Sequence, residues 1–255
     1  MKLLGLIGYP LEHSFSVPYF QEKFKNDHIT GYRYLNFPIK SAAELPALVK
    51  DHPDLAGLNV TIPHKQAVIP YLDALHPLSK EISAVNTIRI SRQPDKIYLE
   101  GFNTDVYGFY HSLAPMLTGQ GNRALILGTG GASRAIAHAL KLMNIEYIFV
   151  SRKPVRGMLG YSDLCHAIIK NHNIIVNTTP AGTWPDVSGF PDIPYDLLGS
   201  HHILFDLVYN PPETKFMEMG KRKGAAVTNG YKMLTLQAEK SWEIWTSAGD
   251  SIPMI

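Results

Sequence analysis

Lys65, two residues past Pro63, and Asp105, in the run Asn103-Thr104-Asp105, are residue types that move protons. A lysine ammonium held in place by a carboxylate can pass a proton to or from an alcohol oxygen. Short polar side chains recur where local structure does not demand them: His13-Ser14-Phe15-Ser16, Asn59 and Thr61 in an apolar segment, and Asn86-Thr87 after Ala84-Val85. Ser14 and Ser16 alternate, so two hydroxyls can face one way and grip a carboxylate or a diol. Each residue also has a plainer reading: a solvated lysine at 65, a helix cap at Asp105, and another at Ser16. Convergence would decide between the readings. Each polar group follows an apolar segment, and open α/β sheets bind ligands at the carboxyl ends of their strands.

A second chemistry sits at Gly128-Thr129-Gly130-Gly131-Ala132, between the apolar run 123–127 and a helical pattern. Glycines there let the backbone approach a pyrophosphate, and the following helix presents free N–H groups to its charge. Ser133 takes the place of a third glycine and is small enough for close helix packing. The next strand runs into Ser151-Arg152-Lys153, with Arg156 close behind and no acidic residue between. An acid at that point would select NAD through the ribose hydroxyl, whereas guanidinium and ammonium groups suit a 2′-phosphate. NADP is therefore expected, against the plainer reading of a solvated basic loop.

Elements able to position these groups can be traced through the chain. Apolar and β-branched runs predict strands at 3–7, 32–37 and 57–62, the last stopped by Pro63, with helices at 16–25 and 43–50. This β-α-β-α-β rhythm predicts helices over a mostly parallel sheet. A second unit is expected after Gly108, with a connecting helix at 109–117, a turn at 119–122 and a strand at 123–127. A helix at 133–143 follows, then strands at 147–150, 174–176, 203–205 and 225–227, and an apolar-patterned tail at 233–245.

With 255 residues the chain has room for two modest domains and a core that needs no disulfides. The net charge of +2, without a long basic run, argues against nucleic acid as a partner. Cys165 is the only cysteine, which fits a reducing compartment, and its plain reading is a small buried hydrophobe. The apolar opening is interrupted by Pro10 and Glu12, far short of a membrane span. A cytoplasmic protein is expected. The scattered histidines, with His201-His202 adjacent and no H-E-x-x-H, point to no metal site.

Taken together, these motifs resemble the shikimate dehydrogenases in order and nearly end to end. They are Gly8-Tyr9-Pro10 with His13 to Ser16, Asn59-Val60-Thr61-Ile62-Pro63-His64-Lys65, Ala84 to Thr87, Gly101 to Asp105 with Gly108, and Gly128 to Ala132. Downstream come Asn177-Thr178-Thr179-Pro180 with Gly182, Asp206 with Tyr209, Pro211 and Thr214, and Asn229-Gly230 with Met233-Leu234 and Gln237-Ala238. The resemblance implies NADPH-dependent reduction of 3-dehydroshikimate to shikimate, on the route to chorismate and the aromatic amino acids. It implies Lys65 as catalytic acid/base with Asp105 as its partner, and Ser14 and Ser16 on the substrate carboxylate. Asn59, Thr61, Asn86, Tyr209 and Gln237 would hold the hydroxyls and ring. Gly128, Thr129, Gly130, Gly131 and Ala132 would meet the pyrophosphate; Ser151, Arg152, Lys153 and Arg156 the adenosine phosphate; Leu207, Gly230 and Met233 the nicotinamide.

The implied fold is an N-terminal α/β substrate domain, residues 1–105, joined by a returning C-terminal helix, 231–255, and a Rossmann-type doubly wound NADP domain, 106–230. Monomer and homodimer both stay open. Departures are expected to tell locally: Val17 where the family often has Pro, Phe20-Gln21 for His-Asn, and Ser151-Arg152-Lys153 for Asn-Arg-Thr. The segment 157–170 is short for the usual helix and strand, which predicts a more open adenine side and weaker NADP affinity. Two rivals remain: a same-fold enzyme that also takes quinate or NAD, and a non-catalytic NADP-binding relative.

Overall fold

The computed structural model describes residues 1–12, 14–119, 121–247 and 253–254. His13 of the first polar stretch, Gln120 of the turn and the remaining C-terminal positions fall outside the described residues. In chain order the elements are β1 (Lys2–Gly8), α1 (Ser16–Asn26), β2 (Tyr32–Pro38), α2 (Leu45–Asp51), β3 (Leu55–Val60), β4 (Ala74–Leu75), α3 (Pro77–Ile82), β5 (Thr87–Gln93) and β6 (Lys96–Phe102). Then come α4 (Asp105–Leu113), β7 (Arg123–Leu127), α5 (Gly131–Leu142), β8 (Glu146–Val150), α6 (His166–Asn171), β9 (Ile174–Asn177), β10 (Ile203–Asp206), α7 (Lys215–Arg222), β11 (Ala226–Thr228) and α8 (Tyr231–Thr246). The chain divides into two units, Met1–Thr104 with Ala238–Met254, and Asp105–Gln237. Helix α8 thus begins in the second unit and ends in the first.

The first unit is built on a six-stranded sheet in the order β2-β1-β3-β5-β6-β4. Only β5 runs against the others. Leu3, Leu4 and Ile7 of β1 are fully buried, as the continuous apolar run of a strand covered on both faces requires. On one face Phe20 of α1 stacks on Tyr34 of β2 at 4.4 Å between ring centroids, with Trp245 of α8 against both. Trp245 donates its indole N–H to the Ile88 carbonyl at 3.0 Å. A Cβ on Gly57 would lie 2.3 Å from that indole, so the helix can seat only over glycine.

The second unit carries a parallel five-stranded sheet in the order β11-β10-β9-β7-β8. From β7 the chain moves outward to β8 and then returns to β9 on the other side, so the strand order reverses at β7. The carboxyl end of β7 is therefore the topological switch point where doubly wound sheets bind ligands, and Gly128 follows it directly. Helix α4 packs against α5 and the start of α8. A Cβ on Gly108 would sit 2.4 Å from the Met233 carbonyl oxygen, so glycine allows that approach.

The α/β reading of both units holds, and several details differ. Strands 87–93 and 96–102 form a hairpin across Pro94-Asp95 that alternation did not reveal, because Asn86-Thr87 reads as a loop. Asp105 opens α4 as its first residue, at the helix start its cap reading implies and four positions ahead of the connecting helix expected at 109–117. Between Val150 and His166 the chain makes a loop closed by a bridge to Leu159, then only a 3-10 turn at Tyr161–Asp163. Cys165 is exposed, not buried.

Candidate active site

In the first unit, strand register gathers the polar residues. Leu6, Asn59, Thr87 and Phe102 form one row across β1, β3, β5 and β6. Because β5 is antiparallel, its start lies at the same edge as the ends of its neighbours. One step outward, the Val60 N–H donates to the Asn86 carbonyl at 2.8 Å and the Asn86 N–H to the Phe102 carbonyl at 3.0 Å. Thr61 follows, its N–H bonded to the Ile7 carbonyl at 2.9 Å. Asn86 and Thr104 lock together: the Thr104 N–H donates to Asn86 Oδ1 at 2.7 Å, and Asn86 Nδ2 to Thr104 Oγ1 at 3.0 Å.

Lys65 is held at this edge by its backbone. Its carbonyl accepts from the Val85 N–H at 2.7 Å, one residue before Asn86. The preceding His64 is 2 % exposed and bonds through Nε2 to the Ile39 carbonyl at 2.8 Å. The half-buried side chain of Lys65 thus hangs from a fixed turn. Ser14 Oγ accepts from the Ser16 N–H at 3.3 Å just ahead of α1, while Ser16 is buried beside Tyr34.

In the second unit Asp105, 5 % exposed, follows Thr104 directly and sits one turn ahead of Gly108. Gln237 of α8 packs at that glycine, its Cβ 3.3 Å from where a side chain at 108 would begin. The glycine turn opens with Gly128 at φ +103, where any other residue would be strained and would meet Thr178. Beyond it, a Cβ on Gly130 or Gly131 would meet nothing within 4 Å, so the backbone lies open. Ser133 turns its hydroxyl back to the Gly130 carbonyl at 2.7 Å, and no side chain caps the twelve-residue α5. These uncapped N–H groups and the absence of an acid in the first turn fit a pyrophosphate. Arg152, Lys153 and Arg156 are exposed on the loop after β8, where Lys153 N–H bonds Ser151 Oγ at 3.2 Å and the Ser151 N–H meets the Leu159 carbonyl. That donor set fits the phosphate of NADP.

Loops after β9 and β10 are tied by Asp206, which is fully buried. Its Oδ1 accepts from Asn177 Nδ2 at 2.9 Å and the Val208 N–H at 3.0 Å, and its Oδ2 from Thr214 Oγ1 at 2.6 Å. Leu207, half-buried Tyr209 and Gly230 hang from this knot: the Leu207 N–H bonds the Asn177 carbonyl, and the Gly230 N–H the Val208 carbonyl. A Cβ on Gly230 would lie 2.2 Å from the Leu207 carbonyl oxygen. Burial pushes the Tyr209 phenol up.

Burial also pushes the Asp206 carboxyl up to about 6, against the three hydrogen bonds. A raised folded-state value means that the folded protein binds this proton more tightly than the unfolded chain. The stabilisation is full below the ordinary 3.8 and is lost as pH rises through about 6. Two pH units correspond to about 3 kcal/mol. Denaturant unfolding of the protein and of Asp206→Asn at pH 4 and pH 7 is expected to show that going to pH 7 costs the unsubstituted protein more stability than the variant; parallel pH dependences would refute it.

Sequence reasoning did not single out Tyr34 or Ser241, which share the first unit's polar cluster. Ser241 carried one signal: with Gln237 and Trp245 it lies on a four-residue repeat of α8, a small polar residue in a buried stripe. Tyr34 carried none beyond its place in a strand. Among the described residues no group of His, Cys, Asp and Glu can hold a metal, and no helix is long and apolar enough to cross a membrane.

Comparison with known proteins adds a family. Residues 6–88 match the profile described as the shikimate dehydrogenase substrate binding domain. The NADP(+) shikimate dehydrogenase of Carboxydothermus hydrogenoformans is 35% identical, over 100% of this chain and 95% of that protein. The crystal structure of shikimate dehydrogenase 1 from Peptoclostridium difficile is 35% identical with a TM-score of 0.83, covering 98% of this chain and 94% of that one. That of shikimate 5-dehydrogenase from Thermus thermophilus, in complex with NADP(H) and shikimate, is 29% identical with a TM-score of 0.84, covering 96% and 94%.

Proposed function

The chain belongs to the shikimate dehydrogenase family, and from that premise we propose that it catalyses the reversible NADPH-dependent reduction of 3-dehydroshikimate to shikimate. The observation that carries the reading is the polar edge of the first sheet, where register and backbone bonds bring Thr61, Lys65, Asn86 and Thr104 together.

NADPH, when bound, supplies the hydride that reaches the carbonyl carbon. Lys65, as ammonium, gives its proton to the carbonyl oxygen as negative charge develops there, and a fixed positive charge beside a forming oxyanion lowers the barrier. The C=O bond becomes CH–OH, and the neutral lysine regains a proton from solvent. Asp105 is the partner that holds the ammonium in place and a ligand for a substrate hydroxyl. Ser14 and Ser16 receive the carboxylate; Thr61, Asn86, Tyr209 and Gln237 receive the hydroxyls and ring. Asn59 supports them from beneath. Gly128 to Ala132 cradle the pyrophosphate, Ser151, Arg152, Lys153 and Arg156 the adenosine phosphate, and Leu207, Gly230 and Met233 border the nicotinamide.

The reading places the protein in the cytoplasm, as a monomer or homodimer that light scattering would distinguish. Incubation of purified protein with 3-dehydroshikimate and NADPH is expected to consume the two in equal amounts and yield shikimate, identified by chromatography against a standard. NADPH consumption without shikimate would overturn the substrate; no consumption would overturn the reaction.

A further inference from the structure

The amide of Asn59 lies 4 % exposed with its polar atoms committed to the protein. Its Oδ1 accepts from the Tyr34 hydroxyl at 2.8 Å. Its Nδ2 donates to Ser241 Oγ at 2.9 Å, and to Thr87 Oγ1 and the Asn86 carbonyl at 3.2 and 3.3 Å. An amide nitrogen carries only two N–H bonds, so this one has nothing left for a ligand.

Tyr34 and Ser241 hold the two ends of that amide. Tyr34 is 2 % exposed and stacked on Phe20 of α1, the helix that Ser16 opens. Ser241 is 0 % exposed, and its Oγ also lies 2.7 Å from Thr87 Oγ1 and 3.3 Å from Thr104 Oγ1. Thr104 is the residue locked to Asn86. A connected chain of side-chain hydrogen bonds therefore runs from Tyr34 through Asn59 and Ser241 to Thr104 and Asn86. Hydrophobic packing would fill this space without the cost of burying so many polar groups, which is recovered only when all are satisfied. What such a network adds is fixed orientation.

We propose that Tyr34 and Ser241 are positioning residues for the substrate: by clamping the buried Asn59 amide from both sides, they fix Thr104 and, through it, Asn86 for the hydroxyls of shikimate. This rests on the function proposed above. The hydroxyls of Tyr34 and Ser241 are both turned to the Asn59 amide, so each acts through its neighbours and neither is a catalytic residue.

The test is steady-state kinetics of Tyr34→Phe and Ser241→Ala, each of which removes one hydroxyl and little shape. The expected result is a KM for shikimate raised by about 5- to 20-fold, with the KM for NADP unchanged within twofold. In an Asn86→Ala background, Tyr34→Phe is expected to cost less than it does alone, because its effect passes through Asn59 and Ser241 to Asn86. A purely structural role would lower the melting temperature and leave the KM for shikimate in place, and that outcome overturns the proposal. So does an equal rise in both KM values. If Ser241→Ala does not fold, Tyr34→Phe decides alone, since the ring and its stacking stay. Failure of the underlying function looks different: the unsubstituted protein itself would show no turnover of shikimate.

Discussion

Lys65→Met is expected to lower kcat by about a thousandfold, with only a modest rise in the KM for shikimate. Methionine matches the length and apolar stem of lysine and lacks the transferable proton and the charge. The turn that carries residue 65 is anchored by bonds from groups other than that side chain. It is held by the bond from the Val85 N–H to the residue 65 carbonyl and by buried His64 on the Ile39 carbonyl. The fold and the polar edge should therefore persist, and the loss should fall on the chemical step, as expected for a group whose interaction is made mainly in the transition state. Stopped-flow or steady-state nicotinamide absorbance measures it. Turnover at the unsubstituted rate would remove Lys65 from the mechanism; a large rise in KM with kcat intact would make it a binding group.

Arg152→Ala is expected to raise the KM for NADP by about 10- to 100-fold while the KM for NAD barely moves. A charge-assisted hydrogen bond to phosphate accounts for an effect of that size, and only NADP carries the 2′-phosphate. Arg152 is exposed on a loop whose ends are pinned by Ser151 N–H on the Leu159 carbonyl and Leu159 N–H on the Phe149 carbonyl. Its loss should leave that loop in place. Equal loss for both dinucleotides would mean that the arginine supports the loop and does not read the phosphate.

The sequence was most legible where chemistry and local structure coincide. The glycine turn could be read because strand, glycines and helix are contiguous from Arg123 to Leu142. The strand ends around Thr61 and Asn103 could be read because polar groups interrupt apolar runs. The β5–β6 hairpin was less legible, since a strand opening on the buried polar pair Asn86-Thr87 looks like a loop until its partners are known. Tyr34 and Ser241 were out of reach for a related reason: their meaning lies in contacts spanning 25 and 182 residues to Asn59. The same long-range bonds change the reading of Asn59. As a sequence residue it is a candidate ligand, and as a buried amide with its N–H groups spent it is better proposed as a support.

The shortened segment after β8 bears on cofactor strength. With only a 3-10 turn and the six-residue α6 between Val150 and β9, less of the chain is available to cover an adenine ring. On the function proposed above, the basic loop would carry most of the recognition through charge.

The most direct measurement is nicotinamide absorbance on mixing the purified protein with shikimate or quinate, each with NADP or NAD. The predicted result is rapid NADPH formation from shikimate and NADP, with kcat/KM for shikimate with NAD lower by about tenfold or more, on the order expected for one lost charge-assisted contact. Equal turnover with NAD would contradict the assigned cofactor, turnover of quinate would move the answer to a dehydrogenase of broader substrate use, and silence in all four pairings would contradict the enzymatic function itself.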